Sequence, residues 1–532
     1  MKIVTIGAAG QPAAPLPSAE TVGAKAANLA QMAALGLPVP PAFVLPVRLC
    51  AAIVRGDADA RETLRRGLAE GIAVLEAATG RGLGDRRRPL LVSVRSGAAR
   101  SMPGMLDTVL DVGATPAAVS GLIRSTGNPR FAWDCRRRFL ESFSAVVLGV
   151  APAVLAGPRS ALVAGEQVAR VEELDGEALE RLARAYGEAL DDDGDAVPAD
   201  PMAQLESAAQ AVYRSWMGER ARAYRALERL DHLEGTAVTV QAMVFGNRGL
   251  NSGSGVAFSR DPSSGASEPV IDVLFEAQGE DVVSGARSPQ TEAALAQAVP
   301  AAAKALRGML GTLERAFHDV QDVEFTIEDG RLWLLQTRSA KRTPRAALRI
   351  AIDLVREGLI SPQEGLARVG ALDAGALVEA RLADLGPLLV RGTGASAGVA
   401  VGRAAFSSQS AQRLADGGEP VVLVRPDTST SDVAGFSVSA GIVTAVGGRT
   451  AHAALVARQM GKPCVAGCTE LVVDVAAGTA RVGDTRVAEG DWLSVDGDAG
   501  AVYLGRGQIL VDRLDAELRE VDGWRGAAAV TA

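Results

Sequence analysis

Cysteine is scarce in this chain, and basic residues never gather into a long run. Four cysteines among 532 residues, Cys50, Cys135, Cys464 and Cys468, are too few and too scattered for a disulfide framework. Cys464 and Cys468 lack a second pair to complete a zinc site, so all four read as reduced, buried thiols. With no Lys/Arg block and a formal net charge of -8, the sequence does not describe a nucleic-acid or anionic-membrane surface. A membrane span is missing too: the longest apolar stretch, Ala145 to Gly165, is interrupted by Pro152, Pro158 and Arg159. The opening Met1-Lys2-Ile3-Val4-Thr5-Ile6-Gly7 lacks the apolar region of a signal peptide, which predicts a cytoplasmic protein. No repeat of about 20 to 50 residues occurs. Nor is there a glycine loop ending in Gly-Lys-Ser/Thr, so a P-loop nucleotide site is excluded.

What is present suffices for several cores: 48% of the 532 residues are hydrophobic, and the length corresponds to about three domains. The patterning predicts an α/β and α+β multidomain chain. Residues 1–340 mix helical segments such as Ala24–Leu35 with strand-like runs at Leu90–Val94, Ala237–Val244, Val256–Ser259 and Leu332–Gln336. Within them, residues 115–215 follow helical periodicity and carry the acidic turn Asp191-Asp192-Asp193-Gly194-Asp195, which predicts a helical insertion with a solvated loop. Residues 341–388 alternate charged residues with Ala, Leu and Ile at helical spacing and read as a helical linker. Residues 389–506 change to glycine-punctuated β-branched strands: Gly398–Phe406, Pro420–Val424, Gly441–Ala445, Trp492–Asp496 and Ala501–Leu504. Residues 507–532 form a C-terminal tail with one expected helix, Asp512–Val521.

The most informative residue is His452. It stands in Gly447-Gly448-Arg449-Thr450-Ala451-His452-Ala453-Ala454-Leu455-Val456-Ala457-Arg458, a glycine turn opening an alanine-rich helix. The free N–H groups and positive dipole end of a helix N-terminus attract a phosphoryl group and favour the neutral, nucleophilic imidazole. Gly447 and Gly448 allow backbone to approach a phosphate, Thr450 can cap the helix, and Gly461 before Pro463 predicts its end after about three turns. Taken alone, a histidine here would read first as a polar residue at the start of a packed helix.

A phosphohistidine needs a donor. Candidate cations are Lys25, near the start of a helix, and Arg95, at a strand end in Val92-Ser93-Val94-Arg95-Ser96-Gly97. Asp322 and Glu324 are two apart on an expected strand and so share a face; Gln336 lies on a second strand joined to it by the turn at Asp329-Gly330. These three would make an oxygen cluster suited to Mg²⁺ on nucleotide phosphates. An amphipathic hairpin with its charges in solvent would read the same way.

Gly447 to Cys468 resembles the phosphohistidine motif of the phosphoenolpyruvate-utilising enzymes, and the first domain resembles the ATP-grasp domain of pyruvate, phosphate dikinase. The segments that carry the likeness include Ser101-Met102-Pro103-Gly104-Met105, Thr126-Gly127-Asn128-Pro129-Arg130-Phe131, Gln241-Ala242-Met243-Val244-Phe245-Gly246-Asn247 and Gln278-Gly279-Glu280-Asp281-Val282-Val283. It extends from about Thr21 to Leu504. The resemblance implies an ATP-grasp-like domain, a helical linker and a β/β/α swivelling domain whose histidine carries the phosphoryl group. It implies that Lys25, Arg95, Asp322, Glu324, Gln336 and Arg338 hold ATP phosphates and Mg²⁺, with the metal on Asp322, Glu324 and Gln336. Gln241, Met243 and Val244 would pass beside the adenine, Glu280 would line the pocket, and Arg137 or Arg138 would hold inorganic phosphate. Thr450 matches a threonine that is reversibly phosphorylated in some dikinases, and a homodimer is compatible with the family.

Two residues depart from the dikinase pattern: Arg100 stands one place late in its loop, and Arg449 stands where methionine is usual and resembles the synthase instead. The family's full-length members continue into a (β/α)₈ barrel for phosphoenolpyruvate or pyruvate, which the roughly 25 residues after the histidine domain cannot form. The leading expectation is the nucleotide half of a split dikinase. It would use ATP and inorganic phosphate, release AMP and pyrophosphate, and depend on a separate barrel protein. A phosphotransferase with another small-molecule acceptor and a non-catalytic nucleotide-sensing module are the alternatives.

Overall fold

The computed structural model describes residues 3–7, 16–100, 102, 105–192, 194–284, 287–370, 372, 377–427, 432–449 and 451–530, with the backbone alone for 283–284, 452 and 525–530. The packing divides the chain into two compact units, Met1–Leu250 with Trp333–Thr337, and Asn251–Leu332 with Arg338–Ala532. Among the described residues no helix is long and apolar enough to cross a membrane.

The first unit is built on a five-stranded antiparallel sheet in the order Val4–Ile6, Ala42–Leu45, Thr236–Ala242, Val92–Ala98, Thr108–Val112. Its centre is buried on both faces, so the strands are dominated by β-branched residues. Val92, Val94, Val238 and Val240 pack with Phe43, Phe131, Phe139 and Phe143. Between Thr115 and Ser215 the described residues form helices and turns with no strand. Local chemistry sets their starts. Asn128 accepts a hydrogen bond from the Phe131 amide at 3.0 Å, with Pro129 in the first position, to open the helix Pro129–Phe143. Thr115 and Asp200 do the same for Pro116–Thr126 and Pro201–Ser215.

The second unit contains two larger sheets. The first runs Gln290–Thr291, Val270–Phe275, Gly253–Phe258, Gln321–Glu328, Arg331–Ser339. Asp329 and Gly330 connect its last two strands with φ of 48° and 78°, the paired positive values that a tight two-residue hairpin turn demands. The ends of the last strand stay with this unit, and Trp333–Thr337 belongs to the first.

The second sheet has eight strands, with a parallel centre: Val399–Ala405, Val421–Arg425, Gly441–Thr444 and Cys464–Ala466 lie side by side in chain order. The helices Ser408–Asp416, Val433–Val438 and His452–Gln459 make the crossovers. Alternation along Val421–Arg425 explains the layers. Val421 and Leu423 face Phe436, Ile442, Ala453, Ala454 and Ala457 on the helical side. Val422 and Val424 face the other way, into a core shared with Leu471, Ala480 and Val487 of a small three-stranded sheet. The result is β/β/α layering.

Two expectations need correction. The linker is helical over Pro344–Arg356 and Pro362–Gly370, but Val378–Ala383 is a strand. It pairs antiparallel with Gln508–Arg513, at the place where the tail helix was expected to start; the helix runs instead over Asp515–Val530. The alternation of Val378, Ala380 and Leu382 with Glu379 and Arg381 has period two, but it spans only six residues. Its partner lies more than a hundred residues away, so no local pattern reveals the pairing.

Candidate functional site

Register places the acidic residues of the second unit. Asp322 pairs with Phe258 and Glu324 with Val256 across one ladder; across the next, Phe258 pairs with Val270 and Val256 with Asp272. Directly opposed residues project to one face, so Asp322, Glu324 and Asp272 stand on the same face, with Phe258 and Val256 between the strands that carry them. Asp322 is 2% exposed. Its Oδ2 accepts from Arg338 Nε at 2.8 Å, and its Oδ1 is buried without a hydrogen-bond partner. Burial raises the Asp322 carboxyl above its usual range, against the pull of Arg338. Burial opposes the charge on Arg338, but Asp322 and Glu324 more than offset this and raise its pKa.

An orphaned carboxylate oxygen beside a second carboxylate suits a hard cation, whereas a buried unpaired acceptor otherwise costs about 1–3 kcal/mol. The described residues include no group of three or more His, Cys, Asp or Glu able to hold a metal.

The histidine helix follows the carboxyl end of the parallel strand Gly441–Thr444, the side on which open α/β sheets bind ligands. His452 occupies its first position. The preceding residue, Ala451, is the N-cap. Thr450 itself, the regulatory candidate, lies outside the described residues, as does the His452 side chain. The helix ends after eight residues rather than three turns, followed by Gly461 at φ 64°. Ahead of it, Gly447 adopts φ 104°, and Gly448 sits where a Cβ would come within 2.4 Å of Pro289 Cγ and 3.2 Å of Asp272 Oδ2. Only glycine allows this loop to lie against the strand region that carries Asp272.

In the first unit, another glycine contact sets the cations. Gly23, with φ 80°, precedes the helix Ala24–Ala34, and a Cβ there would fall 2.1 Å from Gly97 O. This close approach puts the helix start bearing Lys25 beside the strand Val92–Ala98 bearing Arg95. Arg95 Nη1 donates to Gln241 Oε1 at 3.4 Å, and Gln241 Nε2 donates to Pro40 O at 3.3 Å. Gln241 is a buried amide in a fully buried strand, a placement that needs such partners. Met243 follows, its amide bonded to Leu91 O at 2.9 Å, and Val244 is buried. Gln336 is in this unit as well, buried on a segment anchored by Leu334 N to Pro38 O and by Asn28 Nδ2 to Thr337 O, each at 2.8 Å. Glu280 is exposed on the short helix Gly279–Ser284 of the second unit.

Arg137 and Arg138 are buried and held by Asp134. Arg137 Nη2 lies 2.6 Å from Asp134 Oδ1 and its Nη1 lies 2.7 Å from Glu141 Oε2, while Arg138 Nε lies 2.9 Å from Asp134 Oδ2. Asn247 Nδ2 also donates to Asp134, at 2.8 Å. Burial would raise the Asp134 carboxyl, but Arg138 and Arg137 more than offset it and hold it far below the usual carboxylate range.

Sequence reasoning missed Asp134, Asp272 and Arg458. A carboxylate inside the apolar run Val270-Ile271-Asp272-Val273-Leu274 was a signal, because charge in a buried strand requires a partner. Arg458 was signalled by its spacing, four residues after Ala454 on the buried side of the helix.

Comparison with known proteins shows the family. The family described as "Pyruvate phosphate dikinase, AMP/ATP-binding domain" matches residues 57–299 and 294–358, and "PEP-utilising enzyme, mobile domain" matches residues 417–500. The chain is 41% identical over 546 residues to pyruvate, phosphate dikinase of Rhizobium meliloti (strain 1021), covering 99% of this chain and 60% of that protein. It is 41% identical over 492 residues to pyruvate, phosphate dikinase of Clostridium symbiosum, covering 91% of this chain and 56% of the relative. The chloroplastic pyruvate, phosphate dikinase of Mesembryanthemum crystallinum is 40% identical over 508 residues, covering 94% and 53%. The chain thus spans little more than half the length of these relatives.

Proposed function

Because the chain belongs to the pyruvate, phosphate dikinase family, we propose that His452 attacks the β-phosphorus of ATP with AMP as leaving group, carries the linked β- and γ-phosphoryl groups, and gives the γ-phosphoryl to inorganic phosphate as pyrophosphate, which leaves the β-phosphoryl group on His452. The observation that carries this reading is the placement of the histidine. It opens a helix at the carboxyl end of a parallel strand, behind a glycine loop laid against the sheet whose acidic face carries Asp272, Asp322 and Glu324.

Each residue has a role that its chemistry supports. Lys25 and Arg95 would hold phosphate oxygens, Arg95 keeping its orientation through Gln241. Gln241, Met243 and Val244 would line the adenine side, and Glu280 the rim. Asp322 and Glu324, with Gln336, would hold Mg²⁺, which when bound offsets charge on the transferred phosphates. Arg338 orients Asp322 and adds a cation to the phosphate site. Arg137 and Arg138 would present a cationic edge to inorganic phosphate, fixed by Asp134. The helix N-terminus would receive the phosphoryl group.

In this reading the first 340 residues act as an ATP-grasp-like domain and residues 389–506 as a swivelling domain on the linker. The phosphoryl group would then pass to a phosphoenolpyruvate or pyruvate site outside residues 1–532, which is consistent with a match that covers 60% of the Rhizobium relative. The test is product analysis with Mg²⁺ and ATP. Phosphate-stimulated formation of AMP and pyrophosphate by the wild type, absent from His452→Ala, is expected. ADP as the product, or an unaffected His452→Ala, would overturn the proposal.

A further inference from the structure

Arg458 is a full-length cation on the histidine helix, and it is 1% exposed. Its Nη1 donates to Ala395 O at 2.7 Å, which ties it to the strand Thr393–Ser396 of its own domain. Its Nε and Nη2 are buried without hydrogen-bond partners. The guanidinium carbon lies 5.2 Å from the centre of the Phe258 ring, which belongs to the other sheet and stands in register with Asp322. Burial pushes its pKa down to about 10, while Asp322, Asp272 and Asp261 act on it in the opposite direction. Packing alone does not account for a guanidinium in this position, since a buried cation with unmet donors costs several kcal/mol unless carboxylates answer it.

The carboxylates belong to one sheet and the arginine to the next, so the charge complementarity acts between the histidine domain and the acidic face. Contacts around the glycine loop agree. Gly448 abuts Pro289 and Asp272, and a Cβ on Gly467 would stand 3.6 Å from Ser288 Oγ. The helical rise separates the backbones of His452 and Arg458 by about 9 Å along the axis. A residue that fixes Arg458 over Phe258 therefore fixes where the start of the helix lies on the sheet.

We propose that Arg458 is a positioning residue that docks the histidine domain on the acidic face formed by Asp272, Asp322 and Glu324, and so delivers His452 to the nucleotide phosphates. This deepens, and rests on, the phosphotransfer reading above. Arg458 touches no reacting atom; it sets the fraction of molecules in which the histidine is in place.

The experiment combines single-turnover labelling of His452 from ATP labelled at the β-phosphate with amide hydrogen exchange, in wild type, Arg458→Met, Arg458→Lys, Asp272→Asn and the Arg458→Met/Asp272→Asn double variant. Arg458→Met is expected to slow labelling by about ten-fold or more with ATP KM nearly unchanged, because misplacement of a reacting group by about 1 Å is already that costly. Arg458→Lys should recover part of the rate. Asp272→Asn should slow labelling too, and the double variant should be no slower than Arg458→Met alone. Exchange should rise at residues 288–291 and 447–449 in both single variants, while the strands Val421–Arg425 and Gly441–Thr444 stay protected. If Arg458→Met also exposes those strands, Asp272→Asn decides, since it leaves the histidine domain intact. Unchanged exchange at 288–291 and 447–449 in Asp272→Asn, or strictly additive rate losses, would overturn the proposal. If the wild type takes no label, the phosphotransfer reading fails and the exchange comparison still judges Arg458.

Discussion

Asp134 shows how much a single buried charge can organise. It accepts from Arg137, Arg138 and Asn247, joining the helix Pro129–Phe143 to the segment that follows the central strand of the first unit. Removing one partner of such a cluster leaves buried cations uncompensated, so Asp134→Asn is expected to destabilise this unit by about 3–5 kcal/mol in thermal or denaturant unfolding. The sign with pH follows from its depressed pKa. The stabilisation is complete above the ordinary aspartate range and fades only as pH falls from there toward the much lower folded-state value, so the wild type should lose more stability on acidification than the variant. The cysteines give a second residue-level prediction. All four are buried, and burial raises Cys464 and Cys468 to about 12 and also lifts Cys50 and Cys135. A thiol reagent near neutral pH should find none of them reactive until the protein is unfolded, and four afterwards.

At the scale of elements, two glycine contacts position the chemistry. Gly23→Ala forces a Cβ onto Gly97 O and into φ 80°, so it should cost about 1–3 kcal/mol and weaken ATP binding, measured by unfolding and by titration calorimetry. Gly448→Ala meets Pro289 instead; labelling of His452 should slow while the thermal stability of the protein changes little. These elements were legible to different degrees. The hairpin at Asp329-Gly330, the parallel strands and the histidine helix each announce themselves through turn residues or β-branched runs within a few positions. The strand Val378–Ala383 was hidden because its pairing with Gln508–Arg513 is long-range. The same reason hid the acidic face. Asp322 and Glu324 could be read from their spacing on one strand, but Asp272 joins them only through the register of a third strand. Arg458 could be read as buried, but the sequence gives no hint that its neighbours are carboxylates of another sheet.

At the scale of the molecule, the candidate residues are shared between two units. Lys25, Arg95, Gln241 and Gln336 belong to one, and Asp322, Glu324, Arg338 and the histidine helix to the other. Chelation of Mg²⁺ should abolish labelling of His452 without unfolding the protein, since the described residues include no group of three or more His, Cys, Asp or Glu of the kind a structural metal needs. The most direct test supplies ATP labelled at either the β- or the γ-phosphate, with Mg²⁺ and inorganic phosphate, and follows acid-labile label on the protein. The account predicts that β-label appears on the wild type and not on His452→Ala, while γ-label leaves in pyrophosphate. γ-label that stays on the protein after inorganic phosphate has reacted, or β-label that persists in His452→Ala, would contradict it.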